Sequence, residues 1–225
     1  MSAYPAPVII VDDFAGRVVA EQLFQYAVAH ESGFSQSKVA LGHMGIIDES
    51  RRVSRVNSDV DPVMPLIEPA IRKAVDDAIP KLGLVNVDSY FLEPELGWCG
   101  DGGFFKVHSD SLYRDRFANQ RVMTMVYYFY RQPKAFTGGQ LCLYSLGSAP
   151  DDGTRQEIEP QFDRAVFFPS WYPHEVLPVH CSSPALPFSI GMAASRRLSS
   201  ASRTHPDRVP PCRTGSLDDS PLRPS

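Results

Sequence analysis

The sequence predicts a mainly β domain, a closed barrel or jelly roll backed by N-terminal helices. Two observations carry this. From Val85 onward the chain falls into about eight short β-rich segments with turn signals between them, a pattern of barrels and jelly rolls rather than of βαβ units. Ahead of them, two segments carry apolar residues at helical spacing.

PVIIVDDF reads as a short strand entering a turn, with Asp12 or Asp13 placed to cap a helix. Val18, Val19, Leu23, Phe24 and Ala27 then form one apolar helical face. The polar stretch from Ser32 to Ser58 reads as loop with one short strand near Met44 to Ile47, and Arg51, Arg52 and Arg55 in it read as a solvated cluster, with a binding role as the alternative. Val39 to Ser58 is also a candidate lid, because mobile loops commonly close buried sites. A second helix is expected from Asp61 as N-cap and Pro62 at the first helical position, with Leu66, Ile67, Ala70, Ile71, Ala74, Val75 and Ile79 inward and Pro69 as a kink or a later start. The strand series comes next: VNVDSYFLE, FFKVHSD, RVMTMVYYFY, QLCLYSL, RQEIEP, RAVFFPS, HEVLPV and FSIGMAA. Residues 1–198 make one domain, and residues 199–225, dominated by Ser, Pro, Arg and Asp, read as a disordered tail with too little apolar surface to offset its ordering entropy.

A net charge of -4 gives no electrostatic reason to expect nucleic acid. No apolar run reaches the ~20 residues of a membrane span, and the N-terminus lacks the pattern of a secretory signal. Cys99, Cys142, Cys181 and Cys212 are scattered without a C-x-x-C pair, which fits free thiols and a cytoplasmic location. The oligomeric state is not legible.

His108-Ser109-Asp110 places an imidazole and a carboxylate two residues apart, and in an extended strand such residues project to the same face. His174, in the later segment WYPHEVLPV, is the candidate third metal ligand. Two histidines and one carboxylate suit iron and leave other coordination positions open. H-x-D alone is weak evidence; what surrounds it decides.

The order GDGGFFKVHSD, RVMTMVYYFY, FTGGQLCLY and IEPQFDRAVFFPSWYPHEVLPV resembles the prolyl-hydroxylase-like branch of the 2-oxoglutarate/iron(II) oxygenases, closely over Trp98 to Val179. The resemblance implies a double-stranded β-helix, the jelly-roll or cupin-like barrel. It also implies iron(II) on His108, Asp110 and His174, with 2-oxoglutarate and O2 as co-substrates and ascorbate as a candidate reductant. Tyr128 matches a tyrosine that bonds the far carboxylate of 2-oxoglutarate, and Thr137-Gly138-Gly139 matches a turn between barrel strands. The implied activity is hydroxylation of an aliphatic C–H in a peptidyl, amino-acid or natural-product substrate, with release of succinate and carbon dioxide. Trp98, Trp171 and Tyr172 are candidates for the mouth, and Glu175 for orienting a neighbour of His174.

One departure stands out. The family usually carries Arg or Lys on the strand after the second histidine, pairing with the far carboxylate. Here HCSSPALPFSIGMAAS has none, and Pro187 stands at that place. Three readings stay open. Another cation serves, Arg121 first and Arg164, Arg196 or Arg197 behind it; or a different oxoacid is used; or the chain is a non-catalytic barrel that binds a metal or a partner. Arg121 and Tyr128 differ by an odd number, so a regular strand turns them to opposite faces unless a bulge intervenes. A zinc or manganese cupin-like enzyme is a further alternative.

Overall fold

The computed structural model describes residues 5–39, 45–85, 87, 89–111, 121–146 and 155–181, and the backbone alone of 40–41, 44 and 187–196. The expected tail at 199–225, Arg197, Cys212, and most of the Ser183 to Pro187 stretch lie outside the described residues.

The chain opens with β1 (Ile9–Val11) and α1 (Arg17–Ala29). Five short strands come next: β2 (Ser35–Gln36), β3 (Val39–Leu41), β4 (Met44–Ile46), β5 (Arg52–Val53) and β6 (Arg55–Asn57). After α2 (Met64–Lys81) come β7 (Tyr90–Trp98), β8 (Phe104–His108), β9 (Arg121–Tyr130), β10 (Phe136–Gly138) and β11 (Leu141–Leu143). The chain continues with β12 (Gln156–Ile158), β13 (Arg164–Pro169), β14 (His174–Val176), β15 (Val179–Cys181) and β16 (Pro187–Arg196). The strands build a seven-stranded sheet, β1-β13-β9-β16-β7-β6-β2, and a five-stranded sheet, β12-β11-β14-β8-β5, with small β10-β15 and β3-β4 ribbons. Pairing is antiparallel throughout, giving the expected double-stranded β-helix.

The two-residue period of β9 and β13 explains the layers. Met123, Met125, Tyr127 and Phe129, with Ala165 and Phe167, turn to one core with Leu23, Ala27, Ile67, Ile71 and Val75 of the helices. Tyr128 and Tyr130, with Val166 and Phe168, turn to a second core with Leu141, Leu143 and Val179. The helices therefore cover the outside of the large sheet, and the second core lies inside the barrel. Each fully buried Leu, Ile or Phe contributes roughly 1.5–3 kcal/mol. Tyr127 donates its hydroxyl to buried Asp163 at 2.8 Å, and the Ala15 N–H donates to the same carboxylate oxygen at 2.9 Å, tying the entry of α1 to the sheet.

Several expectations need correction. Asp12 and Asp13 do not cap α1: Gly16 precedes it, and Asp12 accepts from Arg164 at 2.6 Å instead. Asp61 does not cap α2, which starts at Met64 because the Val60 carbonyl takes the Val63 and Met64 N–H groups first. Pro69 lies inside α2 without ending it. The strand expected from Val85 begins at Tyr90. The stretch from Ser32 to Ser58 is not one strand in a loop but β2 to β6, held by distant partners such as β7 and β8. The solvated reading of the arginine cluster fails in part: Arg52 and Arg55 lie in strands, their guanidinium carbons 4.5 Å from the Phe105 ring centroid and 4.3 Å from that of Trp98.

Two register shifts shape the interior of the barrel. His174 pairs with His108 but Val176 pairs with Phe105, so β8 carries one residue more than β14 there. Ala194 pairs with Met123 but Ser195 with Arg121, so β9 carries an extra residue at Val122. The turn expected at Thr137-Gly138-Gly139 is shifted: Thr137 and Gly138 end β10, and the link to β11 begins at Gly139; both glycines have φ of 73°, and a Cβ on Gly138 would collide with the Pro178 carbonyl oxygen.

Candidate metal centre and co-substrate cavity

β8 and β14 are neighbours in the small sheet, and their register sets His108 directly opposite His174. Asp110 lies two residues after His108, where its N–H donates to the Ser170 carbonyl at 2.9 Å and turns the chain inward. His108 Nε2 then lies 3.5 Å from Asp110 Oδ1, and His174 Nε2 lies 3.6 Å from Asp110 Oδ2. One ligand atom of each residue lies within 4.8 Å of the others.

The imidazoles are oriented by the backbone. His108 Nδ1 lies 2.9 Å from the Lys106 carbonyl oxygen, and His174 Nδ1 lies 2.9 Å from that of Tyr172. A proton on each Nδ1 satisfies those carbonyls and leaves both Nε2 lone pairs aimed at the common centre. Thr124 donates its hydroxyl to Asp110 Oδ2 at 2.6 Å and lies 3.0 Å from Ser170 Oγ. Phe105 stacks on His108 with centroids 3.4 Å apart, and Phe168 meets His174 edge-on at 4.8 Å. Burial alone would raise the Asp110 carboxyl, but the imidazoles of His174 and His108 and the Thr124 hydroxyl hold it below the usual carboxylate range. Burial pushes His174 down to about 4, with Asp110 opposing. Two imidazoles and a carboxylate converging on one point match the donor set for a borderline divalent metal such as iron(II).

Two cavities meet here. One, of about 310 Å³, is lined by His108, Asp110, His174, Thr124, Glu93 and Arg121 among others. The second, of about 120 Å³, is mostly apolar and is lined by Trp98, Tyr128, Tyr130 and Phe136 among others. Arg52, Phe105, Val126 and Val176 line both.

Tyr128 is buried, and its hydroxyl makes no hydrogen bond among the described residues, while its side chain lines the apolar cavity. Burial pushes its pKa up, so it remains a donor. Arg121 lines the iron-side cavity because the extra residue at Val122 brings it to the same face as Thr124. Its guanidinium holds Glu93 with 2.8 and 3.1 Å contacts, and it does not line the Tyr128 cavity. Arg164 pairs across from Tyr128 in register but is bound to Asp12 through Nε at 2.6 Å and Nη2 at 3.0 Å. Arg196 ends β16 seven residues beyond Ser189, the partner of Tyr128, hence roughly 23 Å away along the strand at about 3.3 Å per residue. Pro187 heads β16 opposite Tyr130. Trp98 reaches the apolar cavity; Trp171 and Tyr172 line neither cavity. Glu175 receives the Tyr144 hydroxyl and lies 3.7 Å from Arg155, away from both cavities.

Sequence reasoning missed three residues here. Thr124 shares the parity of Tyr128, so strand alternation could have found it. Phe105 lies at odd spacing from His108, and Arg52 sits in a two-residue strand; neither left a local signal.

A jelly roll that brings two histidines and a carboxylate to one point defines a class of metal-binding barrel proteins. Residues 95–199 match the model of the 2OG-Fe(II) oxygenase superfamily. An uncharacterized PKHD-type hydroxylase of Synechocystis sp. is 33% identical over 128 residues, 53% of this chain. This chain spans 42% of that relative's length. A prolyl hydroxylase from Trichoplax adhaerens, solved with a hypoxia inducible factor peptide fragment, superposes with a TM-score of 0.65 at 20% identity, over 84% of this chain and 83% of that one. A Pseudomonas putida prolyl-4-hydroxylase gives 0.59 at 18% identity, over 86% and 94%. A viral collagen prolyl hydroxylase from Paramecium Bursaria Chlorella virus-1, solved with 2OG, gives 0.58 at 15% identity, over 84% and 96%. Over residues 95–199 the chain is thus similar to the 2OG-Fe(II) oxygenase superfamily, and it shares the fold of these prolyl hydroxylases.

Proposed function

We propose that this chain is an iron(II)- and 2-oxoglutarate-dependent oxygenase that hydroxylates an aliphatic C–H of a peptidyl, amino-acid or natural-product substrate. The observation that carries the reading is the convergence of His108 Nε2, His174 Nε2 and the Asp110 carboxylate, each held from behind by a carbonyl or a hydroxyl. His108, Asp110 and His174 would hold iron(II). When bound, iron with 2-oxoglutarate and O2 supplies hydroxylation of substrate C–H coupled to release of succinate and carbon dioxide.

The protein's own residues do the rest. Thr124 and Ser170 fix the carboxylate plane of Asp110, and the Lys106 and Tyr172 carbonyls fix the imidazole tautomers. The Tyr128 hydroxyl would donate to the far carboxylate of 2-oxoglutarate from within the apolar cavity, and Phe105, Val126 and Val176, which line both cavities, would shield the bound molecule from water. Arg121, on the iron side, faces anionic groups of co-substrate or substrate that approach Asp110.

The test is anaerobic mixing with iron(II), ascorbate and 2-oxoglutarate. A visible charge-transfer band, then succinate on admitting O2, is the expected result. Tight metal binding with neither band nor succinate would leave a non-catalytic metal-binding barrel. Turnover without any oxoacid and insensitive to oxygen would favour a cupin-like enzyme.

A further inference from the structure

The apolar cavity poses a problem of charge. A dicarboxylate seated on the metal by its keto-acid end would carry its second carboxylate into a pocket of about 120 Å³ walled mainly by aromatic and aliphatic side chains. An ionised carboxylate in such surroundings is costly unless it is paired. The strand after His174 offers no cation near Tyr128, Arg164 is already held by Asp12, and Arg121 is held by Glu93 outside this cavity.

Among the described residues, Arg52 is the one basic residue lining the Tyr128 cavity, and it also lines the metal-side cavity. It is half-buried, and among the described residues it has no carboxylate within ion-pair distance. Its Nε donates to Ser54 Oγ at 2.7 Å, and Ser54 donates onward to Ser37 Oγ at 2.8 Å. Its Nη1 reaches the Lys38 carbonyl at 3.4 Å, and Nη2 makes no hydrogen bond among the described residues. The guanidinium lies over the Phe105 ring, and that same ring stacks on the metal-side face of the site at His108. Pairing of Arg52 with Phe105 and Val53 with Phe104 fixes β5 beside the strand that carries the first ligand.

We propose that Arg52 is the cation that meets the far carboxylate of 2-oxoglutarate, with the Tyr128 hydroxyl as its companion, in place of a basic residue at the Pro187 end of β16. The assignment rests on the oxygenase reading above. Arg52 approaches from the N-terminal side of the barrel rather than along β16. Its hydrogen bonds to Ser54 and Lys38 aim the guanidinium without neutralising it. Burial lowers its pKa, and Glu95 and Asp110 across the cavities oppose that shift.

The test compares two oxoacids of equal length on protein loaded with manganese(II), which binds without turnover. 2-Oxoglutarate has the far carboxylate; 2-oxopentanoate carries a methyl group there. The intact chain should prefer 2-oxoglutarate. Arg52→Met should weaken 2-oxoglutarate roughly 10- to 100-fold, the span expected for loss of charged hydrogen bonds, and change 2-oxopentanoate less than about 3-fold. Arg52→Lys should recover part of the loss. Manganese affinity and melting temperature serve as fold controls. Unchanged 2-oxoglutarate affinity in Arg52→Met would overturn the assignment. Equal loss for both oxoacids would also overturn it, because Arg52 would then act only through the packing of Phe105. An intact chain that binds metal but neither oxoacid would instead strike at the oxygenase reading itself, and Arg52 would lose its role with it.

Discussion

The two adjoining cavities differ in how they hold charge. On the iron side, charge is dense and self-compensating: two imidazoles face Asp110, Arg121 faces Glu93, and each ligand has a hydrogen-bonding group behind it. On the Tyr128 side, charge is sparse: among the described residues, aromatic and aliphatic walls surround the hydroxyls of Ser54, Tyr128 and Tyr130 and a single guanidinium, that of Arg52. The first arrangement suits a cation, and the second suits the end of an elongated anion. The division matches a ligand with a chelating head and a carboxylate tail, and it makes the two halves separable by experiment.

The largest effect should come from the iron side alone. His174→Ala removes a metal ligand, and because loss of a group merely orienting a ligand already costs about 10–100-fold in affinity, metal binding should weaken by more than about 100-fold. Titration with manganese(II) reads it directly. Near-native affinity would break the comparison, since metal would then be held elsewhere.

Acid should disturb the same side selectively. His174 has a folded pKa of about 4, below its usual value near 6.5. Above pH 6.5 the imidazole is neutral in both folded and unfolded chains and contributes no pH dependence. Between 6.5 and 4 the unfolded chain takes up a proton that the folded chain refuses, so stability falls as pH falls, by at most about 3 kcal/mol, and levels off below 4. Asp110, held below the usual range, adds a loss that begins as the unfolded carboxyl titrates and continues to lower pH. Cys99 in the other cavity is pushed by burial up to about 12 and stays neutral throughout. Melting of the metal-free protein from pH 7 to 4 tests this; a flat profile would mean that His174 does not titrate as a buried neutral group.

Tyr128→Phe should act on the other side. Loss of one hydrogen bond to a carboxylate should weaken 2-oxoglutarate binding about 10- to 100-fold and leave manganese affinity unchanged. Equal loss of metal affinity would show that the cavities are not separable. Smallest of all, Glu93→Gln breaks a partly exposed pair and should change stability by less than about 1 kcal/mol and 2-oxoglutarate affinity by less than about 3-fold. A gain in affinity well beyond that would sharpen the comparison differently, by making the released Arg121 a second anchor.

The sequence made these two sides unequally legible. The convergence of His108, Asp110 and His174 could be anticipated because two of them are two residues apart on one chain segment, and the third lies in a motif of similar order. Tyr128 could be read from its place in VYY. The helical cores were visible in the spacing of Leu23 and Ala27 and of Ile67, Ile71 and Val75, even though both caps were misplaced. Arg52 was not visible. Its environment arises from pairing with the distant Phe105, and a two-residue strand is too short to show alternation. The same reason hid most of β2 to β6: their stability lies in distant partners, not in their own composition.

The extra residue in β8 has a consequence of its own. Phe105 and His108 are three apart, so in a regular strand only one of them could face the interior; the additional residue lets the ring and the ligand stand side by side. The one at Val122 does the same for Arg121 and Thr124. The site is therefore specified by spacing as well as by residue identity. Trimming a single position from the middle of β8 would leave every ligand in the sequence, yet it would rotate the aromatic wall outward and part Phe105 from Arg52. Length is a functional variable in these strands, and one that substitution scanning alone would never sample.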